Sequence, residues 1–576
     1  MNPALRGDDP DALGPVMSEA SVLAETPDLQ GAFPRLSQDQ IDALCAVGEC
    51  RVTRLGERLL GTGEVDDEFL VILRGRVAVL DGDGDEQRII RVHGPGRFLG
   101  ELGLLQGQPS FVSSVAIEPG EVLSVPADRL SEVVSNDPVL GDIVLRAYLV
   151  RRSQLIRLGV GLSIIGSCFS PDTRRLRDFL ARNRIPHRWT DLEQDPQAEE
   201  LLKRFEVSPE DTPVVIWRGR ELLRNPSNGE LARLIGLPRL TSKVTGADLI
   251  VVGAGPAGLA AAVYGASEGL HTIVLDAVAT GGQAGTSARI ENYLGFPAGL
   301  SGTDLAERAV IQAEKFGAKI GVPEQVTALN RDDGGYLITV DDGRQLRART
   351  LVIATGAHYR RLDVPGLTDF EGSSIYYAAT LQEALQCRVD AVAVVGGGNS
   401  AGQAALFLSG HVPRVYLLVR GADLGKDMSR YLVDQIVRNP RVTVLLRTEV
   451  RQLTGEKGNL RGLLVEDNST GLFQELPVRA LFVFIGADPG TDWLTGSVEL
   501  DDHGFVLTGQ SDGAPATNPV WREIGRRPML LETSWPGVFA AGDVRSGSVK
   551  RVASAVGEGA MAIRMVHEVF EPRPTG

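Results

Sequence analysis

The chain has 576 residues, too many for a single hydrophobic core, so several domains are expected. A formal net charge of −15 argues against nucleic acid or an anionic membrane surface as the main partner. The absence of a signal pattern or a long apolar run, together with only four cysteines, predicts a cytoplasmic protein without a disulfide scaffold. For Cys45 and Cys50, near a predicted helix end, core or surface roles are favoured over a disulfide.

The first domain is expected over residues 35–158, after a loose tail at residues 1–34 that is rich in Asp, Pro, Ala and Gly. Ser37 is the predicted N-cap of a first helix. Short apolar runs alternate with glycine turns over residues 51–126, a rhythm typical of a small antiparallel barrel or jelly roll. A helical stretch over residues 127–158 ends the domain.

A second, smaller domain is expected over residues 161–240. The segment GLSIIGS reads as a buried strand, and the helix that follows has Ser170 as its N-cap and Pro171 at its first position. The segment TPVVIWRGRELL predicts a hairpin. Cys168 lies in the turn between the strand and the helix. A helix N-terminus lowers the pKa of a nearby thiol, so Cys168 is a candidate reactive cysteine.

The third part of the chain alternates strands and helices and contains a first dinucleotide-binding fingerprint. The apolar strand 249–252 runs directly into Gly253, Gly255 and Gly258, and then into a predicted helix. Glycines there allow a tight turn and a close backbone approach to a pyrophosphate at the helix N-terminus. The next strand ends at Asp276, whose carboxylate is suited to a ribose hydroxyl pair.

A second fingerprint lies in the segment AVAVVGGGNSAGQAALFLSG, where Gly396, Gly398 and Ala401 follow a strand. The following strand ends at Arg420, the position that Asp276 occupies in the first fold. An acidic side chain repels a 2′-phosphate, whereas arginine pairs with it. The first fold is therefore predicted to take FAD and the second NADPH.

Weaker features surround these two folds. Lys426 and Arg430 add positive charge after the second fold, with solvated helix charge as an equal alternative. Gly356 lies in the strand-and-turn segment VIATGA. Gly542 and Asp543 end the segment GVFAAGD, where an aspartate at a strand end is suited to the ribityl chain of a flavin. No metal site is predicted.

The chain from Asp248 onward resembles the low-molecular-weight, bacterial-type thioredoxin reductases, within the pyridine nucleotide–disulfide oxidoreductase superfamily. The segments GGQAGTSARIENYLGFP and KRVASAVGEGAMAI add to the motifs above. The resemblance implies an FAD-binding domain over 247–370 and 491–576, an NADPH-binding domain over 371–490, and a homodimer. It also implies flavin contacts at Gly282, Gln283, Asn292, Asp543, Arg551 and Val552.

The resemblance breaks at the redox-active pair. Thioredoxin reductases carry Cys-x-x-Cys just before the second fold, but this chain reads YYAATLQEALQC there. Ala378 and Leu381 occupy the two cysteine positions, and neither side chain can perform thiol chemistry. Cys387, six residues after Leu381, is interpreted as a small apolar core residue. Reduction of thioredoxin by the family mechanism is therefore in doubt.

The two N-terminal domains also carry resemblances. The middle domain resembles a thioredoxin or glutaredoxin fold, in which Thr212–Pro213 matches the cis-proline and Pro171 replaces the second cysteine. A degenerate docking module is favoured over a monothiol redox site at Cys168. Residues 35–150 resemble cyclic nucleotide-binding domains, in which Glu101 matches the ribose-binding glutamate. Ser110 replaces the phosphate-binding arginine, so a lost or altered ligand is expected.

The fold class expected is multidomain: an α/β flavoprotein with two dinucleotide-binding folds, a small α/β thioredoxin-like domain and an N-terminal barrel or jelly roll. The expected function is transfer of hydride from NADPH to FAD and of electrons to an unidentified acceptor. The candidate acceptors are a small disulfide, a thioredoxin-like protein, ferredoxin, and oxygen or a quinone. The alternative is a sensor of the NADPH/NADP⁺ ratio that works through the N-terminal domains.

Overall fold

A computed structural model describes most of the chain. The chain divides into two compact units, residues 1–238 and 239–576, and each is described by itself. The described residues are 23–64, 68–82, 87–100, 109–193, 195, 202, 207–208, 211–217, 221–237, 240, 246–287, 290, 293–332, 334–370, 373–377, 379, 383–384, 387–456, 459–509 and 519–570.

The first unit begins with antiparallel strands that form two facing sheets. One sheet has the order β1-β8-β3-β6 and the other the order β2-β7-β4-β5. Aliphatic side chains of β3, β4 and β8 are buried, so the predicted barrel or jelly roll is confirmed. The strands are β1 (Glu49–Thr53), β2 (Arg58–Leu60), β3 (Glu68–Arg74), β4 (Val77–Asp81), β5 (Arg88–His93), β6 (Phe98–Leu99), β7 (Ser113–Ala116) and β8 (Gly120–Pro126).

Among the described residues, three helices accompany these strands: α1 (Gln38–Cys45), α2 (Ala127–Asn136) and α3 (Pro138–Leu158). Ser37 caps α1 as predicted, in a capping box with Gln40. The helical stretch predicted over residues 127–158 is confirmed as two helices, which Asp137 separates. The residue before a proline is pushed out of the helical conformation, and Asp137 is extended and caps α3 through its side chain.

The remainder of the first unit is a mixed sheet with the order β10-β9-β11-β12. Strands β9 and β10 are parallel, whereas β11 is antiparallel to β9 and β12, which confirms the predicted hairpin. Ser170 caps α4, and the Thr212–Pro213 peptide is cis, both as predicted. Membership of the thioredoxin-like class stays a prediction. The elements are β9 (Leu162–Gly166), α4 (Pro171–Arg182), β10 (His187–Asp191), β11 (Val214–Trp217), β12 (Glu221–Arg224) and α5 (Asn228–Leu234).

The barrel and the mixed sheet pack together within this unit. The Phe111 and Trp217 rings meet edge to face with centroids 5.7 Å apart. Gly161, which starts the mixed-sheet part, donates its N–H to the Asp81 carboxylate of the barrel at 3.3 Å. The two domains expected here from sequence therefore share one compact unit.

The described residues of the second unit form a two-stranded sheet, a three-stranded sheet and two larger sheets. The first of the larger sheets has the order β15-β14-β13-β18-β17-β16, with β29 paired to β18. Strands β13 and β14 are mostly apolar because both faces of the sheet are covered, one by helices and the other by residues of β16, β17 and the segment around Leu494. Its elements are β13 (Gly246–Val252), α6 (Pro256–Ser267), β14 (Thr272–Leu275), α7 (Gly302–Lys315), β15 (Lys319–Gly321), β16 (Val326–Asp332), β17 (Gly335–Val340), β18 (Gln345–Ile353), β29 (Val538–Ala540) and α12 (Val552–Phe570).

The second sheet is inserted between β18 and β29 and has the parallel order β20-β27-β21-β22-β23. Its core is separate from that of the first sheet. The predicted flavoprotein architecture, with two dinucleotide-binding folds, is confirmed. The remaining elements of the unit are β19 (Ala357–Tyr359), α8 (Leu367–Phe370), β20 (Ile375–Tyr376), β21 (Val392–Val395), α9 (Asn399–Ser409), β22 (Val415–Val419), α10 (Arg430–Arg438), β23 (Val442–Leu446), β24 (Thr448–Glu456), β25 (Asn459–Asp467), β26 (Leu472–Leu476), β27 (Ala480–Val483), β28 (Ala487–Pro489) and α11 (Pro519–Glu523).

The chain passes between the two folds through paired segments. Strand β19 leaves the first sheet and pairs antiparallel with β28, which returns from the second. Ala357 lies opposite Pro489 in this ladder, so both crossings run side by side.

A fully buried carboxylate stabilises the return of the chain to the first sheet. Glu532 accepts hydrogen bonds from the backbone N–H groups of Gly537 at 2.7 Å and Met529 at 3.0 Å. Its Oε1 also lies 2.6 Å from Nη2 of Arg526, which is itself three-quarters buried. Two backbone donors and a guanidinium thus depend on one side chain.

Replacing Glu532 by Ala is expected to destabilise the second unit by about 3 kcal/mol, because a buried arginine and two N–H groups lose their acceptor. Differential scanning calorimetry of the full chain measures the shift of the transition. Glu568→Ala is the matched control, since Glu568 pairs with Arg564 at the surface and such pairs contribute less than about 1 kcal/mol. Equal shifts for the two variants would contradict the assignment.

Candidate functional site

The turn from β13 into α6 brings backbone against backbone. Gly253 has a φ of +106°, and a Cβ there would lie 2.2 Å from the carbonyl oxygen of Ala354. A Cβ on Gly258 would lie 1.8 Å from the carbonyl oxygen of Gly253. Gly255 is the N-cap of α6 and brings no side chain over the end of the helix. The first N–H groups of α6 are therefore open to an anionic group, and the site fits a pyrophosphate.

Asp276 follows β14 and lies against this same turn. Its Oδ2 accepts the N–H of Ala254 at 2.8 Å, and its Oδ1 accepts the N–H groups of Val278 and Ala279. Sequence reasoning missed this structural use of the carboxylate. Contact between Asp276 and a ribose stays a prediction. The backbone N–H groups already hold the Asp276 side chain in place.

A second glycine pair closes over the first turn. Gly282 has a φ of +54°, and a Cβ there would lie 2.9 Å from the Cα of Gly255. The preceding Gly281 donates its N–H to Ala254 at 2.7 Å. Gln283 donates from Nε2 to the carbonyl of Ala357, the first residue of β19. The structure therefore brings Gly282 and Gln283 to the first turn, whereas Asn292 lies outside the described residues.

The strand-end segments predicted to complete this site also converge on it. Gly356, with a φ of +65°, follows β18 and has open space at its Cβ position. Gly542, with a φ of +78°, follows β29, and its Cβ would lie 2.9 Å from the Cβ of Ala257 in α6. Asp543 is partly buried. Burial raises the pKa of its carboxyl, Lys550 opposes that rise and Glu558 adds to it.

Glu558 of α12 is a residue that sequence reasoning missed. Its Oε2 accepts the N–H of Gly542 at 2.7 Å, and its Oε1 lies 2.6 Å from Nη2 of Arg545. It thereby fixes the turn that carries Asp543. The segment VGEGA in α12 gives the only sequence signal, a charged residue between two glycines.

The turn from β21 into α9 repeats the geometry of the first turn with more room. Gly396 has a φ of +143°, and a Cβ there would lie 2.3 Å from the carbonyl oxygen of Phe484. Gly398 is the N-cap of α9 and leaves that helix end uncovered. Ala401 is buried at the position that corresponds to Gly258, so this turn admits a methyl group. The second site also fits a pyrophosphate.

The two arginines near the second turn differ in whether they already form an ion pair with the protein. Arg420 directly follows β22, is exposed, and forms no ion pair with any described residue. Arg430 begins α10, where its Nε pairs with Asp434 at 3.1 Å and its side chain is 88% exposed. Arg420 is therefore the freer of the two for a phosphate.

Two predicted contacts lie at the start of α12. Val552 is its first residue and is half-buried, whereas Arg551 precedes it and is exposed. The carbonyl of Arg551 accepts the N–H of Ala555, which starts the helix. Their contact with a flavin ring stays a prediction.

The cysteines of the second unit and of the mixed sheet differ from thiols prepared for attack. Cys387 is buried in the core of the second sheet, as predicted, and burial raises the pKa of its thiol to about 12. Ala378 and Leu381, which replace the expected dithiol, lie outside the described residues.

The lowered pKa predicted for Cys168 is wrong. Burial raises the pKa of this thiol to about 12, and the carboxylates of Asp191 and Glu193 add to the rise. The Asp191 carboxylate also accepts the Cys168 N–H at 3.1 Å. Strand β10 ends at Asp191 beside the thiol, so both burial and a nearby negative charge favour the protonated form.

In the barrel, the structure describes one of the two predicted ligand positions, Ser110. Ser110 is buried, and its hydroxyl donates to the carbonyl of Val112 at 2.9 Å. Its backbone N–H donates to the backbone carbonyl of Glu64 at 2.8 Å. The side chain that replaces the expected arginine is thus hydrogen-bonded within its own loop, and Glu101 lies outside the described residues.

No described helix combines the length and the apolar character that crossing a bilayer requires. Nor do the described His, Cys, Asp and Glu side chains form a group of three or more that could hold a metal ion.

Comparison with known proteins gives two family matches. Residues 247–559 match the family model for pyridine nucleotide-disulphide oxidoreductases, and residues 50–137 match that for the cyclic nucleotide-binding domain. The thioredoxin reductase of Treponema pallidum is 34% identical over 315 residues, which cover 55% of this chain and 94% of that protein. NADPH-dependent thioredoxin reductase 3 of Arabidopsis thaliana is 34% identical over 321 residues, covering 55% of this chain but only 56% of that protein.

Solved structures of thioredoxin reductases also match this chain. The thioredoxin reductase of T. acidophilum matches with a TM-score of 0.51 and 28% identity, covering 57% of this chain and 99% of that one. The thioredoxin reductase of Lactococcus lactis matches with a TM-score of 0.50 and 25% identity, covering 56% of this chain and 98% of that one.

The close contact at Gly258 gives a direct test of the first turn. A Gly258→Ala variant is expected to lose roughly tenfold or more in affinity for FAD, because the added methyl group forces α6 away from Gly253. Titration of the flavin-free protein with FAD measures this loss. Gly557→Ala in α12 is the control, because its Cβ position is empty and alanine favours a helix. Unchanged FAD affinity in Gly258→Ala would refute the proposed cradle.

Proposed function

The chain belongs to the pyridine nucleotide-disulphide oxidoreductase family, and we propose that it oxidises NADPH with FAD as its bound cofactor and donates the electrons without a Cys-x-x-Cys pair at the family's position. Thioredoxin reductase-like enzymes of this family use FAD and NADPH. When bound, FAD supplies the chemistry of accepting hydride from NADPH and releasing electrons to a second substrate. The observation that carries the proposal is the pair of glycine turns with opposite charges at corresponding strand ends, Asp276 and Arg420.

The first turn is the proposed site for FAD. The uncovered N-terminus of α6 would hold the pyrophosphate, with Gly255 and Gly282 permitting its close approach. Asp276 would accept hydrogen bonds from a ribose through the lone pairs that the backbone leaves free. Asp543, held by the Glu558-anchored turn, would bind the ribityl chain.

The second turn is the proposed site for NADPH. The N-terminus of α9 would hold the pyrophosphate, and the free guanidinium of Arg420 would pair with the 2′-phosphate. Arg430 would add long-range positive charge but is already paired with Asp434. An arginine in place of an acidic residue is the physical reason to expect NADPH rather than NADH.

The acceptor must be reached by a route other than the usual dithiol. Ala378 and Leu381 cannot form a disulfide, so the electrons would pass directly to a bound acceptor. The candidates are a small disulfide, a thioredoxin-like protein, ferredoxin, or a quinone. Cys168 is a poor relay near neutral pH, because its raised pKa keeps it almost entirely a protonated thiol.

A second candidate function, a sensor, is supported by the match of residues 50–137 to cyclic nucleotide-binding domains. In this proposal the N-terminal unit regulates the flavoprotein or reports its redox state. Ser110 favours an altered ligand over a cyclic nucleotide, because no arginine at that position neutralises a phosphate.

Mixing the flavin-loaded protein with NADPH under anaerobic conditions tests the proposed function. We expect the visible absorbance of the flavin to bleach, and to bleach more slowly with an equal concentration of NADH. A screen of small disulfides, thioredoxin, ferredoxin and quinones then identifies which acceptor restores the absorbance. Persistent flavin absorbance with both nucleotides would refute hydride transfer.

Removing the charge of Arg420 is expected to weaken the binding of NADPH but not that of NADH. An Arg420→Ala variant loses one charge-assisted phosphate contact, so the apparent Kd for NADPH should rise roughly 10- to 100-fold. The Kd for NADH, which lacks the phosphate, should stay within about twofold. Arg438→Ala, at the C-terminal end of α10, is the matched control. Equal weakening of NADPH and NADH would show that Arg420 does not read the phosphate.

A further inference from the structure

Leu240 lies outside the two dinucleotide-binding folds, yet it is packed into the second unit. It is the first described residue of that unit, and it precedes residue 247, where the match to the family model begins. Its side chain is 8% exposed and belongs to the hydrophobic core that includes residues of β13, β14, β16, β17 and β18. The core next to the first glycine turn therefore contains a residue that the dinucleotide-binding fold does not itself supply.

Arg344 holds the backbone of Leu240 in place. Its Nη1 donates to the Leu240 carbonyl at 2.8 Å, and its Nη2 lies 2.6 Å from Oε2 of Glu324, which is 1% exposed. The side chain of Leu240 meets the same segment, because a Cβ on Gly321 would lie 2.9 Å from Cγ of Leu240 and 3.0 Å from Cγ of Glu324. These three residues, Leu240, Arg344 and Glu324, form the anchor.

The anchor adjoins the segment that positions Asp276. The Asp276 N–H donates to the Gly321 carbonyl at 3.1 Å, and the Glu324 N–H donates to the Asp276 carbonyl at 2.7 Å. The Asp276 carboxylate in turn accepts the N–H of Ala254 in the first glycine turn at 2.8 Å. A continuous series of contacts therefore runs from Leu240 through the backbone of Asp276 to the turn.

We propose that Leu240 is a positioning residue for FAD, which acts through Asp276 on the adenosine half of the cofactor. By packing against Gly321 under the hold of Arg344, it fixes the segment that sets where the Asp276 carboxylate lies. Loosening that segment would let the carboxylate and the glycine turn shift, and a binding site loses affinity when its supporting residues are not locked by packing. This role rests on the proposed function, in which the first turn holds FAD.

Equilibrium titration of the flavin-free full chain with FAD tests the proposal. Leu240→Ala removes the packing, so the Kd for FAD should rise roughly fivefold to tenfold, and Leu240→Met, of similar volume, should restore the wild-type value. Arg344→Gln breaks the ion pair at a partly exposed position and should weaken FAD by a comparable factor even if Leu240→Ala does not fold. Arg349→Gln is the matched control, since Arg349 pairs with Asp248 near the start of β13, away from the turn.

A double-mutant cycle separates positioning of Asp276 from general loosening of the unit. In an Asp276→Ala background, Leu240→Ala should change the Kd for FAD by less than about twofold, because the residue through which it acts is gone. The full loss in that background, or an unchanged Kd in both Leu240→Ala and Arg344→Gln, would overturn the proposal. A wild-type chain that does not bind FAD would instead refute the proposed function, and the role of Leu240 with it.

Discussion

The contact between the backbones of β13 and α6 determines how the rest of the second unit is arranged. No side chain fits at Gly258, because a Cβ would lie 1.8 Å from the carbonyl oxygen of Gly253. Three later segments then pack against the first turn of α6. Gly282 meets Gly255, Gly542 meets Ala257, and a Cβ on Gly559 of α12 would lie 2.1 Å from the carbonyl oxygen of Ala257. Segments far apart in sequence thus converge because glycine lets each approach a backbone directly.

The second fold uses the same construction with different constraints. Ala401 fits at the position where the first fold requires glycine, and Met428 packs against Gly402 in the first turn of α9. The residue after the second strand changes from an aspartate bound to its own turn to an arginine free in solvent. Similar backbone geometry would therefore serve two nucleotides, and charge at one position would distinguish them.

The features predicted correctly from sequence are local ones. The glycine turns, the caps at Ser37 and Ser170 and the hairpin at β11 and β12 each depend on residues that are close together in the chain. The features missed depend on long-range contacts. Glu558 reaches Gly542 only after α12 packs on α6, and Glu532 is satisfied only inside the folded unit.

Thiol reactivity shows the same limit. The position of Cys168 before a helix predicts a lowered thiol pKa, but burial in the folded unit raises that pKa, and the carboxylates of Asp191 and Glu193 add to the rise.

A crystal structure of the full chain grown with NADP⁺ tests the assignment of the two folds most directly. The account predicts FAD on the turn at Gly253 to Gly258, and the 2′-phosphate of NADP⁺ within hydrogen-bond reach of Arg420. NADP⁺ on the first turn, or a 2′-phosphate directed away from Arg420, would contradict it.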